Sequence, residues 1–379
     1  MIFLDNASTT KVHDFIVDKM AKLNNEAFYN PSALYSKGVE VNRLISIYRD
    51  QIKTALKADM FDNVIFTGSA TEANNMAIRG VVKKNSGKIL VSQGEHPSVY
   101  NVASDLVSQG HNVDFVKLTK EGYVDFEDFK SKMDKNTSFV SIMHVSNETG
   151  AINDIKKLVE YAKSVNPNVI FHSDGVQALG KIKVNLKALK VDLYTISAHK
   201  INGMKGVGAL YIKNGINLKP LVLGGGQEFN LRSGTENILG IMTLVEAASF
   251  AVEHQLDHYN KVSNLKQKFI EELNKYSIEY VLHSFEENSP YIIAIGFKGV
   301  RAETLLHKMD ECGVLIGNGS ACSSKKSGNR ILSSMGVDQK VIESSVRISF
   351  GIYNEENEVV EAANLLNKCI NEYKEKVRL

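Results

Sequence analysis

Between Asn63 and Gly208, short and continuously apolar β-rich runs alternate with longer helical patterns, and this rhythm constrains the fold more than any other feature of the chain. VIFT (Val64–Thr67) precedes a helix from about Thr71, KILVS (Lys88–Ser92) one from about Pro97, and FVSIMHV (Phe139–Val145) another near Asp154. NVIFHSD (Asn168–Asp174) and DLYTISA (Asp192–Ala198) follow. Strands apolar at successive positions are covered on both faces, and strands joined through helices run parallel. The expectation is an α/β protein with a parallel, doubly covered sheet. Ligands of such sheets bind beyond the carboxyl ends of the strands, so the residues just after each run are where chemistry is sought.

GALYIKN (Gly208–Asn214) comes without an intervening helix and is expected to add an antiparallel strand. After the Gly-rich LVLGGGQ (Leu221–Gln227), a long helical pattern runs from about Asn237 to Tyr276. PYIIAIGF, ETLLHKMDEC, VLIG, SVRISFG and a charged terminal helix then form a smaller α/β unit. The boundary is expected inside the long helix. This gives a large unit over 13–254 and a small one made of 1–12 with 255–379, in keeping with a chain of 379 residues.

Charge excludes some partners. With 45 Lys+Arg against 43 Asp+Glu the net charge is +2, so there is no long-range field for nucleic acid or acidic lipid. No uncharged apolar run approaches the roughly 18 residues that span a bilayer, and Asp5 interrupts the apolar N-terminus, so a soluble cytoplasmic protein is expected. Three cysteines, Cys312, Cys322 and Cys369, are too few for a disulfide scaffold and suit a reducing compartment. No paired Cys/His spacing suggests a metal.

The strongest local feature is SAHK (Ser197–Lys200), directly after DLYTI. Burial at a strand end lowers a lysine pKa and makes the amine nucleophilic, as a Schiff base requires. Asp174 ends the preceding strand, where it suits the pyridine nitrogen of pyridoxal phosphate, and Gln177 suits its phenolic oxygen; helix capping is the plainer alternative for Asp174. FTGSATEANN runs from a strand into a helix start at Ala70 and Thr71, which makes an anion cradle, or an ordinary cap. His96 after KILVS suits ring stacking or proton transfer, and is equally a capping or core histidine. Asn147 in HVSNETG suits the ring or substrate, or an Asx-turn. Arg347 in SVRISFG requires an anion, either a substrate carboxylate or a structural carboxylate. Cys322 stands in GNGSACSSKKSGNR, with Lys325 and Lys326 nearby to favour the thiolate, whereas Cys312 and Cys369 are expected to be inert. GMKGVG and GGGQ lack the strand–G-x-G-x-x-G–helix context, which excludes a dinucleotide.

Together these residues resemble one family, the cysteine desulfurases of the NifS/IscS type, within the class V aminotransferase-like enzymes of fold-type I. The similarity runs over nearly the whole chain, through FLDNASTT, NPSALYSKG, FTGSATEANN, GEHPSV, VSNETG, HSDGVQALGKI, VDLYTISAHK, LGGGQEFNLRSGTEN, NGSAC and VRISFG. It implies a mostly parallel seven-stranded sheet in the large unit and a mobile Cys322 loop on the small one. It also implies pyridoxal 5'-phosphate on Lys200, with Asp174 at the pyridine nitrogen, Gln177 at the phenolic oxygen and His96 stacked on the ring. Ala70, Thr71, Ser197 and His199 would hold the phosphate, with Thr235 reaching it from the partner subunit of a homodimer. Asn147, Arg347 and Asn30 would bind L-cysteine. Lys200 would then remove the α-proton and Cys322 attack the substrate sulfur, leaving L-alanine and a persulfide for an acceptor in iron–sulfur cluster assembly or tRNA thiolation.

Three positions depart from the family pattern: Tyr35 stands for histidine in NPSS-x-H, Met204 for proline in HK-x-x-GPKG, and DGVQ for DAAQ. The alternatives are an aminotransferase or selenocysteine lyase of the same fold, or a non-catalytic scaffold.

Overall fold

The computed structural model describes residues 1–82, 87–319 and 329–378. Its strands are β1 (Ile2–Leu4), β2 (Asn63–Thr67), β3 (Lys88–Ser92), β4 (Val113–Val116), β5 (Thr137–Ser141), β6 (Ile170–Asp174), β7 (Leu193–Ser197), β8 (Gly208–Ile212), β9 (Tyr280–Leu282), β10 (Ile292–Phe297), β11 (Val314–Ile316) and β12 (Ser345–Ser349).

Seven of them form one sheet in the order β2-β8-β7-β6-β5-β3-β4. The pairs from β7 to β4 are all parallel, and β8 alone runs against both its neighbours, as the helix-free connection before it requires. Alternate side chains feed two cores. Val64, Phe66, Leu90, Val140, Tyr194, Ile196, Ala209 and Tyr211 face one, and Ile65, Ile89, Val91, Phe139, Leu193, Leu210 and Ile212 face the other. A period of two with apolar residues on both sides produces the continuous runs visible in the sequence. β4 went unread there because its VDFV is partly exposed along an outer strand.

The small unit has its own core, from Ile2, Leu4 and Ala7 through Val262–Leu273 to Ile292–Phe297, Leu305, Ile348 and the terminal helix. β1 pairs in parallel with β11, and β12-β10-β9 form an antiparallel sheet. The helix expected from Asn237 to Tyr276 is two helices, Ile238–Glu253 and Gln255–Leu273, broken at His254. The first dozen residues divide their contacts. Leu4 sits in the small core, while the backbone of Thr10 bonds to His199 and that of His13 to Asn202.

Cys312 and Cys369, expected to be inert, lie with their sulfurs 3.9 Å apart, and burial pushes the Cys369 thiol up to about 12.

The DGVQ departure has a packing reason. Tyr194 of β7 lies under Gly175, where a Cβ would come within 2.0 Å of its ring, and the Tyr194 hydroxyl is 2.7 Å from His144 Nδ1. Gly175→Ala should therefore destabilise the chain by about 1–3 kcal/mol, the usual cost of overpacking; denaturant unfolding at equilibrium measures it.

Candidate active site

Six of the seven strands share a direction, so Thr67, Ser92, Ser141, Asp174 and Ser197 all end at one edge of the sheet. A cavity of about 490 Å³ opens there, within the usual range for a small-molecule site. Its wall includes Ala70, Thr71, His96, Asn147, Asp174, Gln177, His199, Lys200 and Arg347, brought together from six separate segments.

Lys200 follows β7 in a single 3₁₀ turn. Its Nζ donates to the carbonyl oxygens of Ala7, at 2.7 Å, and Ser8. Burial lowers its pKa to about 8; Arg347 adds to the shift, and Asp5 and Asp174 oppose it. An amine held by carbonyls alone is readily released as a neutral nucleophile.

Asp174 is 4% exposed and accepts from Val176 N at 3.0 Å and from Asn74 Nδ2 at 2.8 Å. The same Asn74 nitrogen donates to Ser98 Oγ at 2.8 Å, and Ser98 Oγ lies 2.8 Å from His96 Nδ1. Because His96 Nδ1 also accepts from Ser98 N at 3.1 Å, the ring proton sits on Nε2, and burial holds the imidazole below its ordinary pKa. His96 is thus the cap of helix Pro97–Ser108 and a cavity residue at once. Neither Asn74 nor Ser98 was singled out from sequence. No sequence signal marked them: only the packing shows Asn74, one helical turn after Ala70, to be fully buried.

The anion cradle is built around the start of helix Ala70–Val81, capped by Ser69, whose Oγ accepts from Glu72 N. First-turn amides have no partner inside their helix, so those of Ala70 and Thr71 are left to a ligand. Ser197 Oγ is buried without a partner. Gly208 lets β8 pass beneath: a Cβ there would come within 2.7 Å of Ala70 N. His199 is neutral near pH 7, because burial, with the lysines around it, lowers it to about 4.

Arg347 lines the cavity and has the structural carboxylates of the plainer sequence reading. Its Nη2 pairs with Asp5 Oδ1 at 2.9 Å and its Nη1 with Glu148 Oε1 at 3.5 Å, yet its buried Nε has no partner. Asn147 donates Nδ2 to Glu148 Oε1 at 2.9 Å, leaving Oδ1 buried and unpaired.

Two expected residues stand apart within one chain. Asn30 is exposed, and its Oδ1 closes its own turn on Ser32 N; Thr235 is exposed in a separate groove with Arg232 and Glu236. Cys322, Lys325 and Lys326 lie outside the described residues. The cavity wall reaches Gly319, and Asn329 Nδ2 donates to Glu148 Oε2 at 3.1 Å.

The aminotransferase class-V model matches residues 2–361. A cysteine desulfurase IscS of Clostridium botulinum (strain Hall) is 34% identical over 99% of this chain and 95% of its own length. The chain belongs to the cysteine desulfurases, within the class-V aminotransferase family. A solved NifS-like protein superposes with a TM-score of 0.92 at 30% identity, over 98% of this chain and 99% of its own. A structure titled SspA in complex with cysteine gives 0.82 at 27% identity, over 94% and 100%.

The cofactor of these enzymes is pyridoxal phosphate, and the residues fit it. The unpaired Ser197 hydroxyl and the first-turn amides suit a phosphate, the oriented Asp174 carboxylate suits a pyridinium, and the buried amine of Lys200 suits an aldehyde. Because Lys200 is neutral only above about pH 8, cofactor uptake by the empty chain should accelerate from pH 7 to 9 and then level, followed by stopped-flow absorbance. Asn74→Ala frees one carboxylate oxygen of Asp174 and should weaken cofactor binding about tenfold, measured by equilibrium titration.

Proposed function

We propose that this cysteine desulfurase removes sulfur from L-cysteine, releases L-alanine, holds the sulfur as a persulfide on Cys322 and passes it to a protein acceptor in iron–sulfur cluster assembly or tRNA thiolation. The observation that carries this reading is the buried, depressed amine of Lys200 beside the clamped Asp174 carboxylate in one cavity.

When bound, pyridoxal phosphate supplies an electron sink for the substrate α-carbon. Ala70, Thr71, Ser197 and His199 would hold its phosphate, Asp174 would keep its ring nitrogen protonated, and His96 and Gln177 would contact the ring. Arg347, its guanidinium already oriented by Asp5 and Glu148, would bind the substrate carboxylate. Asn147 and Asn30 would complete the substrate contacts. Lys200 Nζ, neutral at moderately alkaline pH, would take the α-proton, and that proton together with the one the Cys322 thiol gives up would supply the C–H bonds at Cβ and Cα of alanine. The Cys322 thiolate attacks the substrate sulfur: a new S–S bond forms as the substrate C–S bond breaks, so cysteine and thiol become alanine and persulfide. Gly319 in the cavity wall, three positions before Cys322, supports this reach, since three extended residues span about 10 Å.

A homodimer is part of the proposal. Thr235, Phe28, Leu34, Tyr35, Leu223 and Phe229 are exposed on one chain, and a second copy would cover this apolar surface while bringing Thr235 to the neighbouring phosphate. The units 13–254 and 1–12 with 255–379 are proposed as its domains, which suits the separate core of the smaller one. A cytoplasmic setting suits its free thiols, and among the described residues no helix is long and apolar enough to cross a membrane.

Incubation with L-cysteine should yield alanine and a 32 Da increase on the peptide carrying Cys322, read by mass spectrometry (~32 Da, one sulfur atom). Cys322→Ser should abolish the increase and lower alanine release at least a hundredfold; the added sulfur on Cys312 or Cys369, or retained desulfuration, refutes the assignment.

A further inference from the structure

Lys181 is a second buried amine beside the site, and the mechanism above does not use it. It follows Gly180, whose φ of +71° and missing Cβ, which would otherwise come within 2.4 Å of Ala251 Cβ, allow the turn to lie against helix Ile238–Glu253. The Lys181 side chain is 7% exposed. Its Nζ donates to Gln177 Oε1 at 2.6 Å and stands 5.5 Å from the centre of the Tyr291 ring. Burial, reinforced by Lys200 and Arg347, lowers its pKa to about 7, and no carboxylate opposes the shift. His13 and His258, which line the same small cavity, are held below their ordinary pKa by burial and are neutral at pH 7.

The two ends of a glutamine amide have the same shape, so only their partners decide which way it lies. The Ala7 carbonyl can only accept, so the end of Gln177 facing it is the nitrogen, and the end facing Lys181 is the oxygen, anchored by the Nζ that donates to it. Its other end, Nε2, donates one hydrogen to the Ala7 carbonyl at 2.9 Å and keeps a second for the cavity that Gln177 lines. The Ala7 carbonyl also accepts from Lys200 at 2.7 Å, so the two lysines are joined through one amide and one peptide oxygen.

We propose that Lys181 is a positioning residue: by holding Gln177 Oε1 it keeps an amide N–H turned toward the phenolic oxygen of the bound cofactor. The proposal rests on the pyridoxal phosphate reading of the site. Were the amide reversed, two acceptors would face each other. A donated N–H favours negative charge on that oxygen, so its loss makes the neighbouring proton harder to remove.

The test is the pH-dependent visible absorbance of the cofactor-loaded protein, recorded for Lys181→Met, Gln177→Ala and the double variant. Lys181→Met should raise the midpoint by about one pH unit and lower kcat about tenfold. Adding Gln177→Ala to it should move the midpoint no further, because the amide has already lost the anchor that holds it. Lys181→Gln, which still has an N–H to offer, should stay closer to the unsubstituted chain. An unchanged midpoint in Lys181→Met, or shifts of the two single variants that add in the double one, overturns the role. A purely structural lysine would lower the thermal unfolding temperature without moving the midpoint, and that result overturns it too. Absence of a cofactor band in the unsubstituted chain refutes the underlying reading instead.

Discussion

A lysine amine held out of water with no carboxylate against it is the constraint around which this molecule is arranged. Lys200 rests on the carbonyls of Ala7 and Ser8, with Arg347 nearby and Asp174 and Asp5 too weakly placed to restore its ordinary pKa. Such burial costs free energy. It persists because β6 and β7 deliver Asp174 and Ser197 to one edge, and because the N-terminal segment closes over the amine from the other unit. The same segment starts in the small core and ends at His199. The position of the Lys200 amine is thereby coupled to how the two cores are joined by the chain.

Several residues of the cavity wall are anchored structurally through only some of their polar atoms. His96 caps a helix through Nδ1 and also lines the cavity. Arg347 spends Nη1 and Nη2 on Glu148 and Asp5 and keeps Nε free. Asp174 closes a turn through Oδ1 and receives Asn74 at Oδ2. For these residues a capping or ion-pair role does not exclude a role toward a ligand. Anchoring one end of a polar side chain is what orients the other, which is how a site is preorganised.

How far the residues could be read in advance followed their chemistry. Lys200, Asp174 and His96 were legible because each stands just after an apolar run, where an ionisable group is out of place. The seven-stranded sheet was legible from its runs, except β4, whose partly exposed edge blurs the pattern. Asn74, Ser98 and Lys181 were not. An asparagine inside a helix, a serine after a proline and a lysine in a turn are ordinary residues of solvated surface, and only packing makes them buried partners of Asp174, His96 and Gln177. Likewise Asn30 and Thr235 are motif residues that one chain by itself leaves exposed.

The amino-acid order by itself determined which strands are covered on both faces, which residues stand at their carboxyl ends and what chemistry those residue types permit, because periodicity and side-chain identity are local properties. Only the tertiary structure decided which of them meet, which end of each amide and guanidinium faces the cavity, and why glycine replaces the family's alanine at position 175: the Tyr194 ring, from the neighbouring strand, fills that space. Those outcomes depend on distances between segments far apart in the chain, and no local pattern encodes a distance.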